Sequence, residues 1–352
     1  MNKEERQHYI IQLIEQSDGA QILGTRELAE QFGVSEMTVR RDLRQLSLDG
    51  RLRRQHGGAA APVRQPYDQN RKEIGILLAS KTGKYSDPFF NALLEGVDRK
   101  LLELGYRIAY INTRHEVNTA GQVRDLLEST AVSGIILVGP PLGVESFQYI
   151  RTNMRALVGT IEASGTDYDI VTFDGYKGVR QMVDHLVKHG LRRLGFITGD
   201  NDFRRQAFID GVRAHGLPAD PDLCLIVPFD IDGWTPELGH KGAQQLMQLP
   251  NPPEAIVCAS DRIAIGAIQW LHQHGFRVPE DVAVTGFDNI GESAFTVPSL
   301  TTVHVHKQLM GELAAERVVK LIENEHEIPL LIQTPTNLVI RQSCGSHPSA
   351  ES

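Results

Sequence analysis

The sequence predicts a two-part α/β protein: a small winged helix-turn-helix domain, followed by a two-lobed domain built on two parallel sheets. Three observations predict it. Residues 25–44 read as two short helices around a glycine turn, with arginines concentrated on the second. Residues 59–72 carry Pro62 and Pro66 and little apolar material, the composition of a linker. From Glu73 onward, short apolar runs alternate with stretches of helical periodicity, the pattern of parallel strands covered by helices on both faces. The expected boundaries are 1–58 for the first domain, 59–72 for the linker, 73–344 for the two-lobed domain and 345–352 for a frayed tail. Lobe one takes about 73–173 and 300–325, and lobe two about 174–290 and 329–344.

A first helix over residues 4–17 carries Ile10 and Leu13 on one face. In the next helix Thr25 is a candidate N-cap, and Leu28 and Phe32 share a face at i,i+4. Gly33 supplies a turn with positive φ. Ser35 is the N-cap candidate of a third helix, where Val39, Leu43 and Leu46 repeat at helical spacing. Thr38, Arg40, Arg41 and Arg44 fall off that apolar stripe, and Ser35, Glu36 and Met37 occupy its first turn. A helix buried on one side and arginine-rich on the other suits a major groove, where guanidinium forks meet phosphates and guanine edges. Arg51, Arg53, Arg54 and His56 follow as a basic wing. Between Arg40 and Arg54 six arginines face two aspartates, yet residues 1–60 as a whole are neutral. The alternative is an ordinary solvated helix.

These residues carry a resemblance. Val34-Ser35-x-x-Thr38-Val39-Arg40-Arg41-Asp42-Leu43, then Leu48-Asp49-Gly50 and Arg53-Arg54-x-His56-Gly57-Gly58-Ala59, resemble the DeoR-type winged helix-turn-helix of bacterial repressors over roughly residues 5–60.

The net charge of −8 therefore belongs to the chain beyond residue 60, which discourages nonspecific adhesion to nucleic acid. Cys224, Cys258 and Cys344 are far apart, with no C-x-x-C, which argues against a disulfide framework or a zinc site. The polar N-terminus and the lack of a long apolar run predict a cytoplasmic protein. Strands are expected at 74–79, 106–112, 134–139, 194–198, 223–229, 255–259 and 282–286. Helices are expected at 89–104, 122–129, 179–188, 208–215, 239–249 and 263–273. Ligands of such sheets bind at the carboxyl ends of the strands. Asp87, Phe89 and Phe90 follow the first strand, Ser260 and Asp261 follow 255–259, and Asp288 follows 282–286. Phe89 is equally a core residue by its pattern, and Asp261 reads first as a helix cap for 263–273 and second as a ligand contact.

Asp87-Pro88-Phe89-Phe90, Val278-Pro279-Glu280-Asp281-Val282-Ala283-Val284-x-Gly286-Phe287-Asp288, Pro298-Ser299-Leu300-Thr301-Thr302-Val303 and Leu338-Val339-Ile340-Arg341-Gln342-Ser343 resemble the LacI/GalR-type, periplasmic-binding-protein-like regulatory domain. The resemblance implies a sugar sensor in which Arg204 holds hydroxyls and Trp234 stacks on a ring. Ser260 stands where that family often has an asparagine, and Val305 where a polar residue is common. Residues 59–72 do not resemble the family's hinge helix, so this sensor is joined to a DNA-binding unit of another type.

The expected function is a DNA-binding transcriptional regulator, a repressor of a carbohydrate-utilisation operon. It acts as a homodimer or higher homo-oligomer on double-stranded operator DNA and is controlled by a small sugar between the lobes. A sugar phosphate is the alternative, because Arg204, Arg205 and Lys84 could approach an anion. A sugar-acting enzyme with a DNA-binding appendage is disfavoured: there is no nucleophile elbow, no Walker A motif and no strand-following G-x-G-x-x-G. No cofactor and no metal are expected; His304 and His306 alternate as strand residues do, with no third ligand nearby.

Overall fold

The computed structural model describes residues 2–16, 23–48, 52–55, 58–60, 72–80, 83–139, 143–161, 168–199, 202–227, 234–324 and 328–345. The chain divides into two compact units. Unit 1 comprises Met1–Ala79, Asp98–Ile170 and Ala314–Leu330; unit 2 comprises Ser80–Val97, Val171–Leu313 and Leu331–Ser352.

Unit 1 begins with α1 (Lys3–Gln16), β1 (Leu23–Gly24), α2 (Thr25–Phe32), α3 (Glu36–Leu48), β2 (Arg53–Gln55) and β3 (Gly58–Ala60). The apolar spacing explains the packing: Ile10 of α1, Leu28 of α2, and Val39, Leu43 and Leu46 of α3 form one buried cluster. Full burial of each such side chain contributes about 1.5–3 kcal/mol. The three strands form an antiparallel sheet in the order β1-β3-β2. Leu52, just ahead of β2, and Ala59 of β3 join the same cluster, so Ala59 and Ala60, which composition assigns to the linker, belong to the wing. The rest of the expected linker, 61–71, and the tail from 346 lie outside the described residues. A buried ion pair, Arg6 Nε to Asp42 Oδ2 at 2.8 Å, ties α1 to α3.

The cap expectations divide. Gly33 closes α2 at φ 63°, its N–H directed at the Ala29 and Glu30 carbonyls. Ser35 Oγ accepts the Thr38 N–H at 3.2 Å and so caps α3. Thr25 is not a cap. Gly24, extended and paired with Gly58, holds the cap position, and Thr25 is the buried first residue of the helix.

Beyond the wing come β4 (Glu73–Leu78), α4 (Pro88–Glu103), β5 (Arg107–Thr113), α5 (Ala120–Ser129), β6 (Gly134–Val138), α6 (Val144–Asn153), β7 (Leu157–Thr160), β8 (Asp169–Phe173), α7 (Gly175–Lys188), β9 (Leu194–Thr198), α8 (Arg204–Ala214), β10 (Cys224–Ile226), α9 (Pro236–Met247), β11 (Ala255–Cys258), α10 (Asp261–Gln273), β12 (Ala283–Asp288), β13 (Thr301–Val305), α11 (Lys307–Glu323), β14 (Leu331–Thr334) and β15 (Thr336–Val339). They build two six-stranded sheets, β14-β8-β7-β6-β4-β5 and β10-β9-β11-β12-β13-β15. Parallel pairing dominates, with an antiparallel β13–β15 pair at one edge. The central strands are buried along their length, which is why they read as continuous apolar runs.

Of the expected strand at 223–229, residues 228 and 229 lie outside the described residues, and the described part starts one residue late. A 3-10 turn at Pro221–Leu223 takes its first residue, and among the described residues pairing with β9 covers Cys224–Ile226. Beyond the wing, α6, β7, β8, α11, β14 and β15 have no counterpart among the expectations. Within unit 2, α9 and α10 pack backbone to backbone. A Cβ at Gly239 would run into the Ile263 carbonyl, and one at Gly266 into the Pro236 carbonyl. The contact lies close to the start of α9, two residues after Trp234, and brings it against α10, which Asp261 opens.

Candidate DNA-binding helix and effector site

On α3 the side chains expected to face DNA are in solvent. Met37 is 68% exposed, Ser35, Glu36, Arg41 and Arg44 are exposed, and Thr38 is half-buried. Arg40 pairs with Glu36 one turn away, Nη2 to Oε2 at 3.3 Å, with both side chains exposed. The structure thus brings Arg40, Arg41 and Arg44 onto one helix, opposite the buried stripe. The backbone of Arg53 and Arg54 forms β2. Their side chains, and Arg51 and His56 entirely, lie outside the described residues.

In unit 2 the strand ends converge on a cluster of charges and rings. Arg204 opens α8 and is buried, whereas Arg205 beside it is exposed. Its backbone N–H and its Nε donate to Asp202 Oδ1 at 3.0 and 2.9 Å, and Thr198 Oγ donates to Asp202 Oδ2 at 2.5 Å. The guanidinium carbon lies 4.9 Å from the Trp234 ring centre, 4.9 Å from Phe287 and 5.5 Å from Phe203. A row of rings continues from Phe203 through Phe173 to Phe89 and Phe90, with centres 5.9 to 6.2 Å apart.

Two aspartates of this cluster differ in how they are held. Asp261 is wholly buried: Thr302 Oγ donates to Oδ1 at 2.5 Å and the Ile290 N–H to Oδ2 at 2.8 Å. Burial pushes its carboxyl up to about 7, against the pull of those two donors and then of Lys307 and Arg341. It is the first residue of α10, and the capping oxygen is that of Ser260, which accepts the Ile263 N–H at 3.2 Å. Asp288, at the end of β12, is 9% exposed. Among the described residues no donor is hydrogen-bonded to its carboxyl. Burial holds that carboxyl well above the usual carboxylate range. Asp261 and Asp87 push the same way, while Arg204 and Lys307 oppose.

Asp87 accepts the Phe89 N–H at 2.8 Å and lies 3.6 Å from Arg262 Nη1; burial raises its carboxyl as well. Phe89 is buried and Phe90 partly so. Sequence reasoning missed Asp202, Phe173, Phe203, Phe287 and Lys307. The residue types flanking Arg204 and preceding Asp288 were the available signal for three of them. Lys307, a lone lysine two residues past a strand, carried none. Among the described residues no group of three or more His, Cys, Asp or Glu is placed to hold a metal ion, and no helix is long and apolar enough to cross a membrane.

Known proteins match both parts. Residues 6–65 match the DeoR-like helix-turn-helix domain, and residues 183–344 the periplasmic binding protein-like domain. The chain joins a DeoR-like helix-turn-helix to a periplasmic-binding-protein-like domain. It is 28% identical to the HTH-type transcriptional repressor CytR of Escherichia coli over 246 residues, 68% of this chain and 71% of the relative. It is also 28% identical to the HTH-type transcriptional repressor PurR of Pasteurella multocida over 283 residues, 78% and 82%. A putative transcriptional regulator LacI from Bacillus cereus subsp. cytotoxis superposes with a TM-score of 0.72 at 26% identity, covering 79% of this chain and all of that one. The fold is shared with the regulator CelR in its cellobiose complex, at a TM-score of 0.70 and 24% identity, covering 88% and 90%. The chain is a DNA-binding repressor with a ligand-binding domain: the DeoR-like unit supplies the exposed arginine helix, and the periplasmic-binding-protein-like part supplies the buried charge and ring cluster.

Proposed function

We propose that the effector is a small neutral sugar or related polyol held in unit 2 by Asp288, Arg204 and Trp234, with Asp87, Phe89 and Phe90 nearby. The observation that carries this reading is Asp288. It is a nearly buried carboxyl to which no described residue donates a hydrogen bond, beside a guanidinium stacked on aromatic rings. A sugar satisfies both demands, donating hydroxyls to the carboxylate and laying its apolar face on a ring. Asp261 and Ser260 are already engaged with main-chain and hydroxyl partners, and we assign them to holding the site and not to the effector. Domain limits near 60, at the end of the wing, and near 72 and 344 are part of the same proposal.

The repressor acts in the cytoplasm as a homodimer, without catalysing a reaction. It presents two α3 helices to half-sites one or more DNA turns apart, ~10.5 bp per turn. Ser35, Glu36, Met37, Thr38, Arg40, Arg41, Arg44 and the wing arginines make the DNA contacts. Effector binding shifts the population of DNA-competent protein.

Thermal unfolding against D-ribose, D-glucose, cellobiose and glucose 6-phosphate tests the effector. A ligand at 100 times its Kd stabilises the folded state by ~2.7 kcal/mol. The expected result is a shift with a free sugar that Asp288→Asn abolishes. A shift with glucose 6-phosphate alone would instead mean an anion site at Arg204 and overturn the neutral-sugar assignment.

A further inference from the structure

We propose that Lys307 is a positioning residue for the Asp288 carboxyl, its buried ammonium pinning the Asp288–Asn289 turn through main-chain carbonyls. The proposal rests on Asp288 being an effector contact. Asp288 and Asn289 are consecutive non-glycine residues with φ of 106° and 52°. Side chains other than glycine hold such conformations only where the surroundings over-determine them.

Lys307, the first residue of α11, is 7% exposed. Its Nζ donates to the carbonyls of Asp288 at 2.5 Å, Asn289 at 3.3 Å and Val305 at 3.3 Å. An ammonium has three protons and no acceptor, so these three carbonyls occupy it fully and leave the Asp288 carboxyl to other partners. The Phe89 ring centre lies 5.8 Å from Nζ, which places the lysine between the turn and the row of rings.

The rest of the turn is held from other elements. Asn289 Nδ2 meets His304 Nδ1 at 3.0 Å. Burial, with Lys307 and His306, pushes that imidazole down to about 4, so it is neutral and accepts. Asn289 Oδ1 accepts from Arg341 at 2.8 Å and from Ser293 Oγ at 3.2 Å. The Asn289 N–H donates to Thr302 Oγ at 3.3 Å, and the Ile290 N–H to Asp261. Those two amides therefore report whether the turn is closed.

Hydrogen exchange on the full chain without effector is the first arm. Lys307→Met is expected to raise exchange of the Asn289 and Ile290 amides at least tenfold, with β9 and β11 unchanged and Lys307→Arg partly restoring protection. Unchanged exchange in the turn, or a uniform rise across unit 2, overturns the proposal. Asn289→Gly keeps the falsification open should Lys307→Met not fold, since glycine accepts this φ. With Lys307 intact, that variant is expected to stay within threefold of wild-type exchange at Ile290. A tenfold rise there would mean that the Asn289 side chain, and not the lysine, holds the turn.

The second arm titrates D-ribose, D-glucose and cellobiose. Any of these that stabilises the wild type is expected to bind Lys307→Met at least tenfold more weakly. Equal affinity overturns the positioning role. If none of them stabilises the wild type, the sugar reading fails while the exchange arm still decides whether Lys307 holds the turn.

Discussion

Helix α3 and the unit 2 cluster both depend on arginine, and they use it in opposite ways. Arg40 of α3 stands 58% exposed and spends its charge on a neighbouring Glu36. An exposed pair of that kind is worth ~0.3–0.5 kcal/mol. Arg204 is 7% exposed, faces an Asp202 that is 1% exposed, and lies over three aromatic rings. Water screens the first and is excluded from the second. The fold is nearly indifferent to the exposed arginines of α3. Arg204 is built into the fold, its buried charge held between Asp202 and the rings.

The sharpest way to break the comparison is Arg204→Ala. It leaves Asp202 buried without its cation and removes the positive charge that most opposes the rise at the Asp288 carboxyl. Breaking a buried pair in this way costs ~3–5 kcal/mol. Urea unfolding at neutral pH measures it. A loss below ~1 kcal/mol would mean that water reaches the pair and that the two regions do not differ in kind.

Next in size is the pH dependence set by Asp261. Its folded carboxyl is raised from 3.8 to about 7 by burial, so the folded state binds that proton more tightly than the unfolded chain. The stability it contributes is full below about pH 4 and is lost as pH rises through about 7, by a few kcal/mol at most. Asp288 is raised for the same cause and adds to the slope. Asp261→Asn retains an acceptor for Thr302 and should flatten the fall between pH 4 and 7. Denaturation midpoints across that range check it, and an unchanged slope would assign the titration elsewhere.

Gly33→Ala is smaller. Nothing lies within 4 Å of an added Cβ, so the penalty is the left-handed φ of 63° alone, about 1 kcal/mol. This position shows why one turn was legible in the sequence and another was not. Gly33 announces its own conformation, because glycine between two apolar-periodic stretches has few other uses. The Asp288–Asn289 turn is left-handed without glycine. It is imposed by Lys307, Thr302, His304 and Arg341, which lie 13 to 52 residues away along the chain. Sequence spacing places a strand and marks its end, so Asp288 and Asp261 could be put at strand ends. It does not say which carboxylate finds two donors and which finds none. For the same reason the Thr25 cap failed: Gly24 is held by pairing with Gly58, a contact that local propensity does not contain. The continuous apolar runs of β6, β9 and β11 were legible because burial on both faces needs no partner-specific information.

The smallest effect on stability, and the most informative about function, belongs to Arg41→Ala and Arg44→Ala on α3. Both side chains are exposed, and surface substitutions away from packing or caps change stability by no more than ~0.5 kcal/mol. If these arginines neutralise phosphates, each replacement should lower operator affinity across sequences and reduce the slope of log K against log salt by about 1. If one of them reads a guanine edge, its loss should instead cost ~1–3 kcal/mol at one base pair and relax specificity there. Binding isotherms between 50 and 200 mM salt, on operator and on mutated half-sites, separate the two outcomes. The same variants should respond to effector as the wild type does, because the buried cluster of unit 2 is untouched. A variant of α3 that altered effector affinity in the absence of DNA would show that the exposed and buried arginines are energetically linked, and that the division between a fold-neutral charge and a fold-bearing one does not hold for this repressor.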